Sequence, residues 1–295
     1  MGNKKNFYFV LLFFSAIFWG SSFVFTKYLL ETFSPVTIIF IRSIFASAFL
    51  LLFCFIFLRK HLRIDKKDSK TILTFSFLEP FLYFLFETYS LKYSSASVVS
   101  IIIATIPLFT ALLSRYYFKE SFTRLHMAGA FLSLVGIAVM LFPEFSDASF
   151  RIEGILLAFG AVLAAVGYGF YLKKLPSSYH PVVVVTFQNV VGAVLFLPLF
   201  LIISSMEGFP KWSDLTSGFN LFYLIILAVF CSSLAFIFFL KGLQNLGLGR
   251  SNIFTNLIPV VTAVISFFLL HEEFRFHKVM GMLIVITGIF MVQKK

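Results

Sequence analysis

The side chains best equipped for chemistry fall in one apolar stretch, where Ser76, Glu79, Tyr83 and Glu87 stand three or four positions apart among phenylalanines and leucines between Thr71 and Leu91. A step of four residues turns an α-helix only about 40° beyond a full turn, so the four share one narrow face. Charge facing lipid is costly, so such a stripe belongs against other helices or a cavity. With a rise of about 1.5 Å per residue, Glu79 lies roughly 18 Å from the end at Leu91 and Glu87 roughly 6 Å. An acid at mid-membrane depth with no partner at its own level can take up and release a proton. The alternative is a neutral, hydrogen-bonded acid beside a kink at Pro80.

Two cations lie in neighbouring apolar runs. Arg42 is about 10 Å and Lys27 about 5 Å from the outer ends of their helices, so the expectation is an Arg42–Glu87 pair with Lys27 nearby. Mixed charge of this kind suits a zwitterion such as an amino acid. It is equally compatible with an ion pair that only fixes packing and a lysine that snorkels to the interface. Trp19 lies too deep for an interfacial anchor and joins Tyr168 as a candidate cavity aromatic. Ser100 shares a helix face with Pro107, and Asn252 and Asn256 share one with Pro259. Each could bond to a ligand or to another helix.

The elements that must position these residues follow from composition. Of 295 residues 60% are hydrophobic, 19% aromatic and 13% charged, against roughly a quarter charged in soluble chains. With mean hydropathy +0.97, an integral membrane protein is expected, placed in the cytoplasmic (inner) membrane and in contact with the lipid bilayer along its length. A spanning helix needs about 20 mostly apolar residues, which gives ten candidates: 7–30, 35–58, 71–91, 96–117, 125–142, 152–172, 181–204, 219–243, 248–270 and 279–292, the tenth starting at 279 or as early as 276. The first exceeds the roughly 7 to 15 residues of a signal-peptide core and is expected to be retained as a span.

The net charge of +11 is a topology signal and implies no nucleic-acid partner, because no basic stripe is interleaved with exposed aromatics. Of the 24 Lys and Arg residues, only Lys92, Arg151, Lys211, Arg275 and Lys278 fall opposite the N-terminal side, while Lys27 and Arg42 lie within spans. By the positive-inside rule both termini are cytoplasmic.

The chain also repeats itself. Laying Pro259 on Pro107, an offset of about 152, puts Glu272 on Glu120, Gly281 on Gly129 and Gly288 on Gly136. Ser34-Pro35-Val36 matches His180-Pro181-Val182 at about 146, placing Gln188 opposite Arg42. Five spans per copy is an odd number, so the second copy enters the membrane upside down. Inverted repeats with paired interrupted helices are a transporter design, here as residues 1–143 and 152–295. Glu120 and Glu272 read as clamps at helix corners.

Trp19-Gly20-Ser21-Ser22 with Lys27, Arg42, Pro107, Glu120, Gly129 and Gly136, echoed by Asn245-Leu246-Gly247, Pro259, Glu272, Gly281 and Gly288, resembles the EamA-type members of the drug/metabolite transporter superfamily. The resemblance covers nearly the whole chain. It implies ten helices in two EamA repeats, a cavity lined by helices one, three, four, six, eight and nine, and export of a small-molecule substrate such as an amino acid. A facilitative exchanger, a multidrug exporter, a channel and a non-transporting scaffold are the alternatives, and homo-oligomers are compatible with all of them. No cofactor or metal is expected: Cys54 and Cys231 are isolated, and His61, His126, His180, His271 and His277 lie in loops or at span ends. No catalytic dyad assembles, which argues against an enzyme.

Overall fold

The structure, a computed structural model, describes residues 2–59, 64–110, 113, 124–141, 151–172, 174–176, 178–247, 251, 253–273 and 275–293. Among these there is no strand. The helices are α1 (Gly2–Leu29), α2 (Pro35–Phe57), α3 (Lys66–Ser76), α4 (Tyr83–Tyr93), α5 (Ala96–Ile103), α6 (Arg124–Leu141), α7 (Ile152–Leu172), α8 (Pro181–Glu207), the short α9 (Trp212–Thr216), α10 (Asn220–Ile226), α11 (Ala235–Leu246), α12 (Ile258–Leu269) and α13 (Phe276–Gln293). Asn6–Leu29, Pro35–Phe57, Ile152–Leu172, Pro181–Glu207 and Asn220–Leu246 are long and apolar enough to cross a membrane, and Ala96–Thr110, Met127–Val139, Phe254–Leu269 and Phe276–Met291 are shorter apolar helices.

Local chemistry sets the starts and stops. Ser34 caps α2 by accepting the Thr37 N–H, with Pro35 in the first turn where no N–H is missed. Its repeat counterpart Pro181 opens α8 in the same way. Gly247, at φ 83°, ends α11 in a conformation that a residue with a Cβ rarely adopts.

Four helical rods are interrupted, in two matched pairs. α3 and α4 are joined by a π-helical turn, Phe77–Leu82, and α10 and α11 by another, Leu227–Leu234. α5 breaks at Ala104–Thr105 before resuming at 106–110 with Pro107, and α12 is preceded by a 3₁₀ turn, Ile253–Leu257, with Pro259 in its first turn. Pro107 and Pro259, expected from sequence to kink paired interrupted helices, each open the second half of a broken rod, a position proline tolerates.

Packing follows the repeat. α2 lies on α8, α5 on α12 and α6 on α13, each pairing an element with its own counterpart. α1 lies on α11 and α12 as α7 lies on α4 and α5. The α6–α13 contact is the closest. A Cβ on Gly136 would stand 2.7 Å from the Val285 nitrogen, and one on Gly288 would overlap Ser133, whose hydroxyl donates to Gly129 O at 3.0 Å. Small residues at matched positions let the two backbones meet, while Phe131, Leu134, Leu283 and Phe290 face outward. Replacing Gly288 by valine should destabilise the protein by about 1–3 kcal/mol through overpacking. Gly169→Ala, which meets nothing within 4 Å, should not lower the melting temperature in detergent.

Candidate functional site

The first π turn exists because of Pro80. Proline disfavours the helical region for the residue before it, and Glu79 is extended at φ −146°, ψ 117°. Gly192 of α8 makes room for the break, since a Cβ there would overlap the Pro80 ring. The result is a carboxylate displaced from its own helix face into the centre of the bundle.

There it borders a cavity of about 110 Å³. Trp19, Ser22 and Phe23 of α1, Arg42 of α2, Glu79, Tyr83, Phe84 and Glu87 of the third rod, and Ile106, Pro107 and Thr110 of the fourth form one side. Tyr168, Gly169 and Leu172 of α7, Phe236, Phe239 and Leu243 of α11, and Thr255 and Ile258 form the other. Among the described residues neither α6 nor α13 contributes. Trp19 packs edge-on to Phe236 at 5.1 Å between centroids and against Phe239 at 5.0 Å. The Tyr168 hydroxyl donates to Gln188 Oε1 at 3.3 Å, so Gln188, the counterpart of Arg42, steers a cavity aromatic.

Of the stripe on the third rod, Glu79, Tyr83 and Glu87 reach the cavity and Ser76 does not. Ser76 is fully buried behind the break, because the π turn rotates α3 out of register with α4. Glu87 accepts one bond, from the Tyr83 hydroxyl at 3.3 Å. Glu79, only 6% exposed, has no hydrogen-bond partner among the described residues.

The expected Arg42–Glu87 ion pair is not formed. Arg42 is 2% exposed and donates from Nε and Nη2 to Ser232 Oγ at 3.0 and 2.9 Å, with its guanidinium carbon 4.0 Å above the Phe84 ring. Glu87 remains within electrostatic reach without an N···O contact of 4.0 Å or less. Ser232 sits in the second π turn, and its carbonyl accepts from Asn189 Nδ2 of α8 at 3.2 Å. The hydroxyls of Ser15 and Ser233 satisfy Ala235 O and Ala228 O around the same turn.

Lys27 is also elsewhere. It donates to Leu91 O at 2.6 Å and Ser94 O at 2.9 Å, the carbonyls closing α4. Glu272 accepts the Ala96 N–H at 2.8 Å and the Ser97 hydroxyl at 2.6 Å, at the start of α5. It is a clamp, but on a helix of the other repeat. Ser100 is buried with its hydroxyl returned to Ser97 O at 2.9 Å, away from the cavity. Asn256 is buried one position beyond the cavity-lining Thr255. Asn252 and Glu120 lie outside the described residues. Ser232, Asn189, Phe84 and Phe239 were missed by sequence reasoning; only the offset of about 152 from Pro80 to Ser232 pointed toward one of them.

An apolar, many-helix bundle built from matched interrupted rods around a mostly apolar cavity that holds Arg42, Glu79 and Glu87 defines a multi-pass membrane transporter. The EamA-like transporter family matches residues 6–142 and again 152–293, and the chain belongs to that family. An "uncharacterized transporter" of Archaeoglobus fulgidus is 28% identical over 97% of this chain and 98% of its own. The "uncharacterized transporter YetK" of Bacillus subtilis is 28% identical over 94% and 84%. A protein of known crystal structure, 16% identical, shares the fold at a TM-score of 0.69 over 96% of each chain. These bacterial and archaeal relatives are consistent with residence in the cytoplasmic membrane.

The Ser232 contact can be tested by a double-mutant cycle. Ser232→Ala leaves two buried guanidinium N–H groups unmet and should cost about 1–3 kcal/mol of unfolding free energy. Arg42→Met alone should also destabilise, and the double variant should fall short of the sum by at least about 0.5 kcal/mol.

Proposed function

We infer that the chain crosses the membrane ten times, as two inverted five-helix repeats with both termini in the cytoplasm. It works as a secondary transporter that exports a small metabolite, in the range of amino acids and related solutes, by alternating access. The observation that carries this reading is the pairing of interrupted rods: third with eighth, fourth with ninth, all four bordering the cavity. Interrupted helices at corresponding positions of two halves are where transporters bind and bend.

The ends of the cavity differ, which supports an inward-facing state. Its lining extends to Leu172 and Leu243 in the last turns of α7 and α11, on the lysine- and arginine-rich side. Towards the other side it stops at Phe23 and Glu87. Beyond them Lys27 and Glu272 close the corner between α4 and α5 from both sides, one taking the last carbonyls of α4 and the other the first N–H groups of α5. Opening outward requires that this latch release. Glu79, in the middle of the cavity, is the group we assign to proton coupling. A channel lacks the need for such matched breaks, and none of the described residues around the cavity forms a ring of charge or carbonyls.

Counterflow in proteoliposomes tests the carrier reading, since exchange of labelled for unlabelled solute across a closed vesicle requires alternation. The latch makes a separate prediction. With Cys54 and Cys231 replaced by alanine and a cysteine introduced at Phe23, Lys27→Met and Glu272→Gln should each raise labelling by an impermeant thiol reagent added outside, several-fold over the background of the parent with its latch intact. Unchanged labelling in both variants would remove the latch.

A further inference from the structure

We propose that the substrate is a small organic amine that carries its positive charge without a free carboxylate, and that its ammonium group is held by Glu79. The proposal rests on the carrier reading and narrows its substrate class.

A zwitterion needs a cation in the cavity wall, and both cations that sequence placed there are already engaged. Lys27 is not in the lining; its ammonium is spent on Leu91 O and Ser94 O. Arg42 is the only cation among the described lining residues. Two of its nitrogens are committed to Ser232, its face is covered by Phe84, and Nη1 is sealed off, with neither a partner nor access for water. A substrate carboxylate therefore has no positive group to reach.

The acids are differently placed. Glu87 is engaged by Tyr83 and lies towards the latched end. Glu79 borders the cavity, is more than nine-tenths buried and has no hydrogen-bond partner among the described residues. Such a carboxylate is stable only with a proton or a cation bound to it. The same cavity is lined by Trp19, Tyr168, Phe236 and Phe239, and aromatic rings attract an alkylammonium through their faces and pack on its apolar body. The cavity of about 110 Å³ limits the ligand to roughly six non-hydrogen atoms.

The groups facing Glu79 are Glu87 and Tyr83 on its own rod, Arg42 from α2 and Tyr168 from α7. Proton and ammonium compete for the one carboxylate, so export of one amine cation returns one proton inward, and amine affinity falls as pH is lowered.

The test uses purified full-length protein and three probes sharing the same branched five-carbon body: isoamylamine (cation), leucine (zwitterion) and 4-methylpentanoate (anion). Binding is read by calorimetry and by quenching of tryptophan fluorescence, with Trp212→Phe isolating Trp19. The expected result is that isoamylamine binds at least about tenfold more tightly than leucine, and that 4-methylpentanoate does not bind. Amine affinity should drop with falling pH, and E79Q should weaken it by about 30-fold or more. Leucine or the anion binding as well as the amine, no binding of the amine by wild type, or full amine binding by E79Q with an unchanged melting temperature, each overturns the proposal. Counterflow of isoamylamine, corrected against protein-free vesicles, separates the two readings: amine binding lost in E79Q but without counterflow leaves the site standing and removes the carrier.

Discussion

A guanidinium buried inside a membrane bundle has to be met by hydrogen bonds, and the contact of Arg42 with Ser232 meets that demand across the repeats. It joins α2 of the first half to the π turn of the second, and Asn189 of α8 holds the same residue by its carbonyl. Three rods therefore meet at one serine. Removing a partner leaves a buried charge unmet, which costs far more than the net gain of making the bond. This favours a structural reading of Arg42: its neighbours use its donors before any ligand can.

Around that joint, symmetry and local chemistry divide the work. Glycines at matched positions bring α6 and α13 together at the edge, where they bound no cavity. Inside, each break has its own cause. Proline forces Glu79 out of helical geometry, whereas the Leu227–Leu234 turn has no proline and is held by side chains that take its carbonyls. The first break places non-helical backbone at Glu79 inside the bundle, which is tolerated only inside protein or along a cavity.

Much of this was legible beforehand. Hydropathy located the apolar elements, the offset of about 152 located the repeat, and depth arguments brought Trp19, Glu79, Tyr83, Glu87 and Tyr168 to the cavity. What failed was azimuth. Depth along a helix is readable from rise per residue, but which neighbour a side chain turns toward depends on crossing angles and on breaks that shift register. Arg42 and Glu87 lie at similar depth and turn to different partners. Lys27 and Glu272 belong to different repeats and meet at one corner because α1 and the loop before α13 both pass over it. The second π turn left no mark, since serine and cysteine within an apolar run look like ordinary small residues.

The asymmetry between the copies bears most directly on function. About 152 residues after Glu79 and Glu87 stand Cys231 and Phe239, and about 146 after Arg42 stands Gln188. The charged groups of the cavity are thus confined to the first repeat, and the second supplies rings. A solute held by one carboxylate and by aromatic faces is bound strongly in direction and weakly in total, since cation–π contacts contribute about 0.5–2 kcal/mol each. That suits a carrier, which must let go. When the rods bend at their breaks and move the aromatic wall away from Glu79, the ligand loses the desolvated surroundings that made the carboxylate attractive, and water and protons replace it. Symmetric backbone breaks supply the motion, while the unequal side chains keep a single polar site for the motion to expose.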